Sequence, residues 1–294
     1  MITEKYKYFR ETRLWPLSRN LNYEQWLENF SGNDVEIAKL ILDFFIYIPD
    51  SFIDQMLSTV IGKCGYYFKQ QRSTWTNEDF ENNCWYSFMP GEELKSTDSG
   101  YVFNRKLRDV LGIPEKRILN FTELKDKLRN SRSQNVILVD DFVGSGHQTC
   151  YTWNHHGLKK ICQRNKHKII YAPLIVNNIG YRSIQSECDG LSIEFIHLLN
   201  NQYSLFNENC PCWRNDEALF HKAIDLILDK SKTLGIPFDD DCVNGARGYK
   251  GQGLAIAFEH GMPDACLPIF YWETKHWKPL MKRTYSDKYS KIIL

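Results

Sequence analysis

The sequence predicts an α/β protein: a mostly parallel central sheet with helices on both faces, preceded by an N-terminal helical region. Three observations predict it. From Cys84 onward, short apolar runs alternate with amphipathic helical stretches, the order that builds a parallel sheet. One run, Val136-Ile137-Leu138-Val139, is aliphatic at four successive positions, as in a strand covered on both faces. Before Cys84, apolar residues recur at helical spacing instead.

In the first third, Tyr23, Trp26, Leu27 and Phe30 share one helical face, and Ile37, Leu40, Ile41, Phe44 and Phe45 another. The second set is apolar on more than one side, which favours burial. A third helix starts near Ser51, with Asp54 three residues on as in a capping box, and carries Phe52, Met56, Val60 and Ile61. Residues 1–80 read as a helical cap on an α/β domain of residues 81–294; an amphipathic partner-binding surface is the alternative. Strands are expected over 85–89, 117–121, 135–140, 168–176 and 191–198. Helices are expected over 101–111, where Phe103, Leu107, Val110 and Leu111 share a face, and over 216–230. The apolar runs 253–258 and 266–271 read as two closing strands joined by a turn.

A chain of 294 residues, 43% hydrophobic, can bury a sizeable core. Lys plus Arg number 37 against 36 Asp plus Glu, so net charge gives no attraction to nucleic acid or an anionic membrane. Direct nucleic-acid contact would need a local patch. Lys159, Lys160, Arg164, Lys166 and Lys168 form such a cluster, which is equally a solvated helix face. The N-terminus lacks the charged-then-apolar order of a signal peptide, and the apolar run 37–48 is broken by Lys39 and Asp43. A soluble, cytoplasmic protein without a membrane partner is expected. Nine scattered cysteines argue for reduced thiols. Cys210 and Cys212, with Cys242 or His221, could ligate zinc, but the spacing fits no standard arrangement and a plain loop is favoured.

The stretch most informative about function is Val136-Ile137-Leu138-Val139-Asp140-Asp141-Phe142-Val143-Gly144-Ser145-Gly146-His147-Gln148. A buried strand ending in two carboxylates places them where open α/β sheets bind ligands. Gly144 and Gly146 allow close backbone approach, and a helix starting after them offers unpartnered N–H groups to an anion. Carboxylates for sugar hydroxyls and a loop for a phosphate describe a ribose-phosphate site; another nucleotide or metal site, or a structural turn, shares the pattern.

This run resembles the signature of type I phosphoribosyltransferases. The resemblance implies that Asp140 and Asp141 bind the ribose hydroxyls of phosphoribosyl pyrophosphate (PRPP), and that Gly144, Ser145, Gly146, His147 and Gln148 hold its 5′-phosphate. His147 and Gln148 depart from the family pattern, which has a second Gly and then a Thr. The family also has a pyrophosphate-binding loop after an early strand. Lys95-Ser96-Thr97-Asp98-Ser99-Gly100 matches it in position and composition, with Lys95, Ser99, Gly100 and Arg105 as candidate pyrophosphate ligands; a solvated loop before a basic helix is the alternative. Mg²⁺, held mainly through the substrate and possibly by Asp140 and Asp141, is the implied cofactor.

The C-terminal stretch has a glycine-rich approach, Arg247 to Gly253, then Phe258-Glu259-His260-Gly261-Met262-Pro263-Asp264 and Trp277-Lys278-Pro279-Leu280-Met281-Lys282-Arg283. With the variant loop, it resembles the PRTase-CE group, phosphoribosyltransferase-related effectors of bacterial conflict systems, some encoded with retron reverse transcriptases. His260 at a strand end is a candidate acid, base or phosphate ligand. Arg283 is a candidate phosphate ligand or a tether for the tail, and Trp272 and Trp277 are expected to be packing residues, with a ring that stacks on a base as the alternative. The resemblance implies an anti-phage effector, toxic when released from partner components, such as a reverse transcriptase with its RNA and DNA. It would transfer the phosphoribosyl group or cleave an N-glycosidic bond. A sensor or scaffold that binds a nucleotide or nucleoprotein without catalysis, and a nucleic-acid adaptor, stay open.

Overall fold

The computed structural model describes residues 4–15, 21–71, 74–91, 100–237 and 244–283. In chain order the elements are α1 (Lys5–Glu11), α2 (Tyr23–Leu27), α3 (Asp34–Phe44), β1 (Ile46–Ile48), α4 (Asp50–Gln71), α5 (Asn77–Asn83) and β2 (Cys84–Phe88). They continue with α6 (Gly100–Asp109), α7 (Phe121–Arg129), β3 (Asn135–Val143), α8 (His147–His155), α9 (Leu158–Asn165), β4 (Lys168–Asn177) and α10 (Asn178–Glu187). The last are β5 (Ser192–Ile193), β6 (His197–Leu199), α11 (Glu217–Thr233), β7 (Asn244–Gly245), β8 (Gly248–Tyr249) and β9 (Ile256–Phe258). The α/β architecture with a mostly parallel sheet is as the sequence predicts.

The chain divides into two compact units, one of residues 1–50 and 200–294, the other of residues 51–199. The boundary read from sequence near residue 80 marks a change of pattern, from helical to alternating, whereas these units are defined by packing.

The second unit holds the main sheet, in the order β2-β3-β4-β5, with β6 also pairing β4; every pairing is parallel. Strand alternation sorts its residues. Val136, Leu138 and Tyr171 turn to one face, where they pack with residues of α7, α8, α9 and α10, among them Leu124, Trp153, Leu158 and Ile184. Ile137 and Val139 turn to the other, where Val139 is beside Phe88 and α6 packs on β2 and β3. Burial on both sides is why β3 and β4 read as continuous apolar runs. On that second side Lys106 reaches Asp54 of α4 at 2.7 Å.

Three local expectations are corrected. Residues 117–121 form no strand: a 3₁₀ turn at 115–117 leads to a single bridge, Ile118 to Tyr86, and α7 begins at Phe121. The reason is Asn120, whose side chain accepts from the Glu123 N–H while the Glu123 carboxylate accepts from the Asn120 N–H. That reciprocal cap starts a helix where an apolar run invited a strand. The run 191–198 is not one strand but two short ones, β5 and β6. Strand β3 extends three residues past Asp140, because Phe142 and Val143 pair with Ile175 and Val176.

In the first unit, β1 and β9 form a parallel pair, and β7 and β8 a small hairpin. The pair of closing strands expected at 253–258 and 266–271 is corrected here. Only Ile256–Phe258 is a strand, and its partner is β1; the second run makes one bridge, Cys266 to Leu254, and turns into a 3₁₀ segment at Pro268. Proline has no N–H to continue a ladder. The core is aromatic: Trp26 packs on Phe30 and Phe270, and Phe30 on Trp277, at centroid distances of 4.8, 5.6 and 5.4 Å. Trp26 and Trp277 both donate their indole N–H to the carbonyl of Ile269, each at 3.0 Å.

Among the described residues, no helix is long and apolar enough to cross a membrane.

Candidate functional site

The candidate site forms where β3 leaves the sheet. Asp140 and Asp141 are consecutive on a strand, so their side chains leave opposite faces. Asp140 lies on the face of Leu138 and Tyr171 and is 8% exposed. Both of its oxygens are engaged: Oδ2 accepts the Tyr171 hydroxyl at 2.6 Å, and Oδ1 accepts the backbone N–H of Asp141 at 3.0 Å. Tyr171 also pairs with the hydroxyl of Thr149 on α8, which is itself buried. Burial, and then the neighbouring Asp141 charge, push the Asp140 carboxyl well above the usual carboxylate range, with the Tyr171 hydrogen bond opposing them. Asp141, on the face that α6 covers, is partly exposed, and its Oδ1 accepts the Phe142 N–H at 2.8 Å.

The loop is tight because of two glycines on separate segments. Gly146 adopts φ +75° as it enters α8, a conformation that disfavours a side chain. Gly180, in the first turn of α10, fits against the loop so closely that a Cβ there would lie 2.4 Å from the Gly144 carbonyl oxygen and 2.9 Å from the Gly146 nitrogen. Asn177 orients α10 by accepting the Ile179 N–H at 2.9 Å. The Ser145 hydroxyl accepts the His147 N–H at 3.3 Å, and the Gln148 and Thr149 N–H groups precede the first helical bond, from Cys150 to Gly146, and lie outside the ladder. His147 and Gln148 are exposed, and the Gln148 amide donates to the Met89 carbonyl at 3.3 Å. Met89 directly follows β2, and its own N–H donates to the Val139 carbonyl. The segment after β2 therefore leaves the sheet beside the loop after β3.

Of the candidate pyrophosphate ligands, Lys95 and Ser99 lie outside the described residues. Gly100 packs at the start of α6, with no room for a Cβ against the Phe88 ring. Arg105 is exposed, 3.5 Å from Asp109. His260 and Arg283 belong to the other unit. His260 is exposed with its ring stacked on Phe258 at 5.4 Å, and the Arg283 guanidinium lies 5.0 Å from the Tyr271 ring centroid.

Among the described residues, no group of three or more His, Cys, Asp or Glu could hold a metal ion. Asp140 does not fit Mg²⁺, since its oxygens are hydrogen-bonded and burial favours its neutral form. The partly exposed Asp141 is the carboxylate of the pair that fits it. For zinc, Cys242 lies outside the described residues, His221 is beside Glu217, and Cys212 is buried with its thiol toward the Leu40 carbonyl. The basic cluster is a solvated face in part: Lys160, Arg164, Lys166 and Lys168 are exposed, and Lys159 is 3.8 Å from Asp189.

Sequence reasoning missed Tyr171, Thr149 and Gly180. Tyr171 carries the one hydroxyl within the run Ile169-Ile170-Tyr171-Ala172-Pro173-Leu174-Ile175-Val176, a signal that a buried acceptor is near. A glycine inside a helix costs about 1 kcal/mol relative to alanine, so Gly180 signalled close backbone approach.

The model of the PRTase-CE family matches residues 23–283. Among solved structures, a hypothetical protein from Neisseria gonorrhoeae with bound ppGpp is similar over 59% of this chain and 97% of its own, at 14% identity and a TM-score of 0.31. No curated protein matches the chain.

Proposed function

Because this chain belongs to the PRTase-CE family, we propose that it binds PRPP or a related ribose phosphate and carries out chemistry at the anomeric carbon. The observation that carries this reading is the partly exposed Asp141 on a strand that runs directly into the Gly144–Gly146 loop and the N-terminus of α8. The loop and the first turn of α8 hold the 5′-phosphate through backbone N–H groups, and Asp141 accepts from the ribose hydroxyls. In this reading pyrophosphate lies beside Met89 and Pro90, which follow β2 and contact Gln148 and Thr152 of α8.

Displacement by a nitrogen nucleophile, or by water, breaks the bond from the anomeric carbon to pyrophosphate and leaves positive charge on the ribose ring in the transition state. Asp141 stabilises that charge and fixes the ring. Mg²⁺ bound through the diphosphate supplies charge neutralisation of the leaving group. Asp140 acts differently. It anchors β3 to β4 through Tyr171 and supports the backbone of Asp141.

In this reading the protein is an effector of anti-phage defence, toxic when partner components release it. A second reading, binding without turnover as a sensor or scaffold, is favoured by one observation: the buried partners of Asp140 leave one carboxylate where the enzymes use two. Pyrophosphate release from PRPP and Mg²⁺ separates the two. Release by the wild type and its loss in Asp141→Asn supports the enzyme. PRPP binding without release supports the sensor, and no binding by the folded protein contradicts both.

A further inference from the structure

The eight described cysteines are buried thiols. Two of them, 38 positions apart in sequence, meet: the Cys188 thiol donates to the sulfur of Cys150 at 3.4 Å. From this juxtaposition we propose that Cys150 and Cys188 are an oxidative modification site, closing to a reversible disulfide that staples α8 to the end of α10. This goes beyond the ribose-phosphate reading and does not depend on it.

The place of each residue gives the bridge a consequence. Cys150 lies in the first turn of α8, and its N–H donates to the Gly146 carbonyl at 2.9 Å, so the residue is tied directly to the loop. Cys188 caps the C-terminal end of α10, whose first turn carries Gly180 against that same loop. The two helices are already joined on this side, with the Trp153 indole donating to the Asp189 carbonyl at 3.2 Å and the Asn154 amide to the Glu187 carbonyl at 3.4 Å. A disulfide needs sulfurs about 2.05 Å apart, a closure of roughly 1.4 Å. Cys188, at a helix end before Gly190 at φ +84°, can supply the movement.

In the reaction, two thiols give up two electrons and two protons, and one S–S bond forms. A low-molecular-weight disulfide accepts the electrons and protons and leaves as two thiols; hydrogen peroxide leaves as two waters, an alkyl hydroperoxide as one alcohol and one water, and an azo oxidant such as diamide as its hydrazine. The Cys188 thiol is held above its ordinary range by its hydrogen bond to Cys150 and by burial. Thiolate is therefore scarce at neutral pH, and the bridge forms slowly, through local opening at the end of α10, with a rate that rises with pH. Lys159, near Asp189, favours the Cys188 thiolate, while Glu187 opposes it.

The test uses the full chain treated with oxidised glutathione or diamide. Thiols are then alkylated in denaturant, and the peptides are mapped by mass spectrometry. The expected product is a Cys150–Cys188 linked peptide, two hydrogens lighter than the separate pair, absent from Cys150→Ser and Cys188→Ser and reversed by dithiothreitol. Hydrogen exchange on the wild type reads the second half: the bridged form should slow exchange of the 146–150 amides at least threefold. Recovery of both cysteines alkylated, or a bridge from either to another cysteine, would overturn the site. Unchanged exchange in a bridged protein would overturn its coupling to the loop.

Discussion

Replacing Tyr171 by Phe, beside Asp140→Asn, exposes the electrostatics under the candidate site. Tyr171→Phe deletes the hydroxyl that donates to Asp140 at 2.6 Å and keeps the ring in the core. The cost depends on the acceptor. A hydrogen bond to a neutral group contributes about 0.5–1.5 kcal/mol, and one to a charged group about 1.5–3 kcal/mol. Burial and Asp141 raise the Asp140 carboxyl above its unfolded range, so the folded state binds a proton that the unfolded state releases. The stability this group contributes is fully present below about pH 4, its unfolded range, and is lost as pH rises through the folded value. The slope for one group reaches at most about 1.4 kcal/mol per pH unit. The cost of Tyr171→Phe should accordingly grow from about 1 kcal/mol at pH values below the folded titration of Asp140 to about 2 kcal/mol or more above it, because the lost bond favoured the charged carboxylate. Asp140→Asn should remove the slope. Its absolute stability also shifts, since the amide oxygen keeps the Asp141 N–H while its NH₂ faces the Tyr171 hydroxyl, which must then accept rather than donate, but that offset does not titrate. Urea unfolding of the three proteins at a series of pH values is the assay. A pH profile for Asp140→Asn parallel to that of the wild type would refute the reasoning, as would a Tyr171→Phe cost that does not change with pH.

Gly180→Ala should destabilise the protein by about 1–3 kcal/mol and weaken ribose-phosphate binding, because the added methyl meets loop backbone rather than a movable side chain; thermal unfolding and calorimetry check both effects. Trp26→Phe and Trp277→Phe each remove one of two donors to the Ile269 carbonyl, so the double variant should lose about 1 kcal/mol more than the sum of the singles, once that buried oxygen has no donor. A double-mutant cycle in urea measures the excess. His260→Ala should leave stability within about 0.5 kcal/mol, since the ring is exposed and stacks on Phe258; a larger loss would mark it as structural.

The main sheet was legible because β3 and β4 are covered on both faces, and such strands write themselves as aliphatic runs. The acidic pair and its loop were legible for the same reason: polar and glycine residues stand out directly after such a run. The division of labour within the pair was not. Alternation sends Asp140 and Asp141 to opposite faces, but only the neighbouring strand, with Tyr171 diagonal to Asp140, shows which carboxylate is held inward. The β1–β9 pairing was hidden because it joins three-residue strands more than 200 positions apart, too short for a periodic signal. At 117–121 the apolar run favours a strand, and the reciprocal Asn120–Glu123 cap starts a helix there instead.

The central claim is that Asp141 and the loop entering α8 hold a ribose phosphate while Asp140 holds the strand. Calorimetric titration of PRPP with Mg²⁺ into the wild type, Asp141→Asn and Asp140→Asn tests it most directly. The account predicts binding by the wild type, a loss of at least tenfold in Asp141→Asn with thermal stability kept, and a change of less than about threefold, or roughly 0.65 kcal/mol, in Asp140→Asn. Equal losses in both variants, or no binding by the folded wild type, would contradict it.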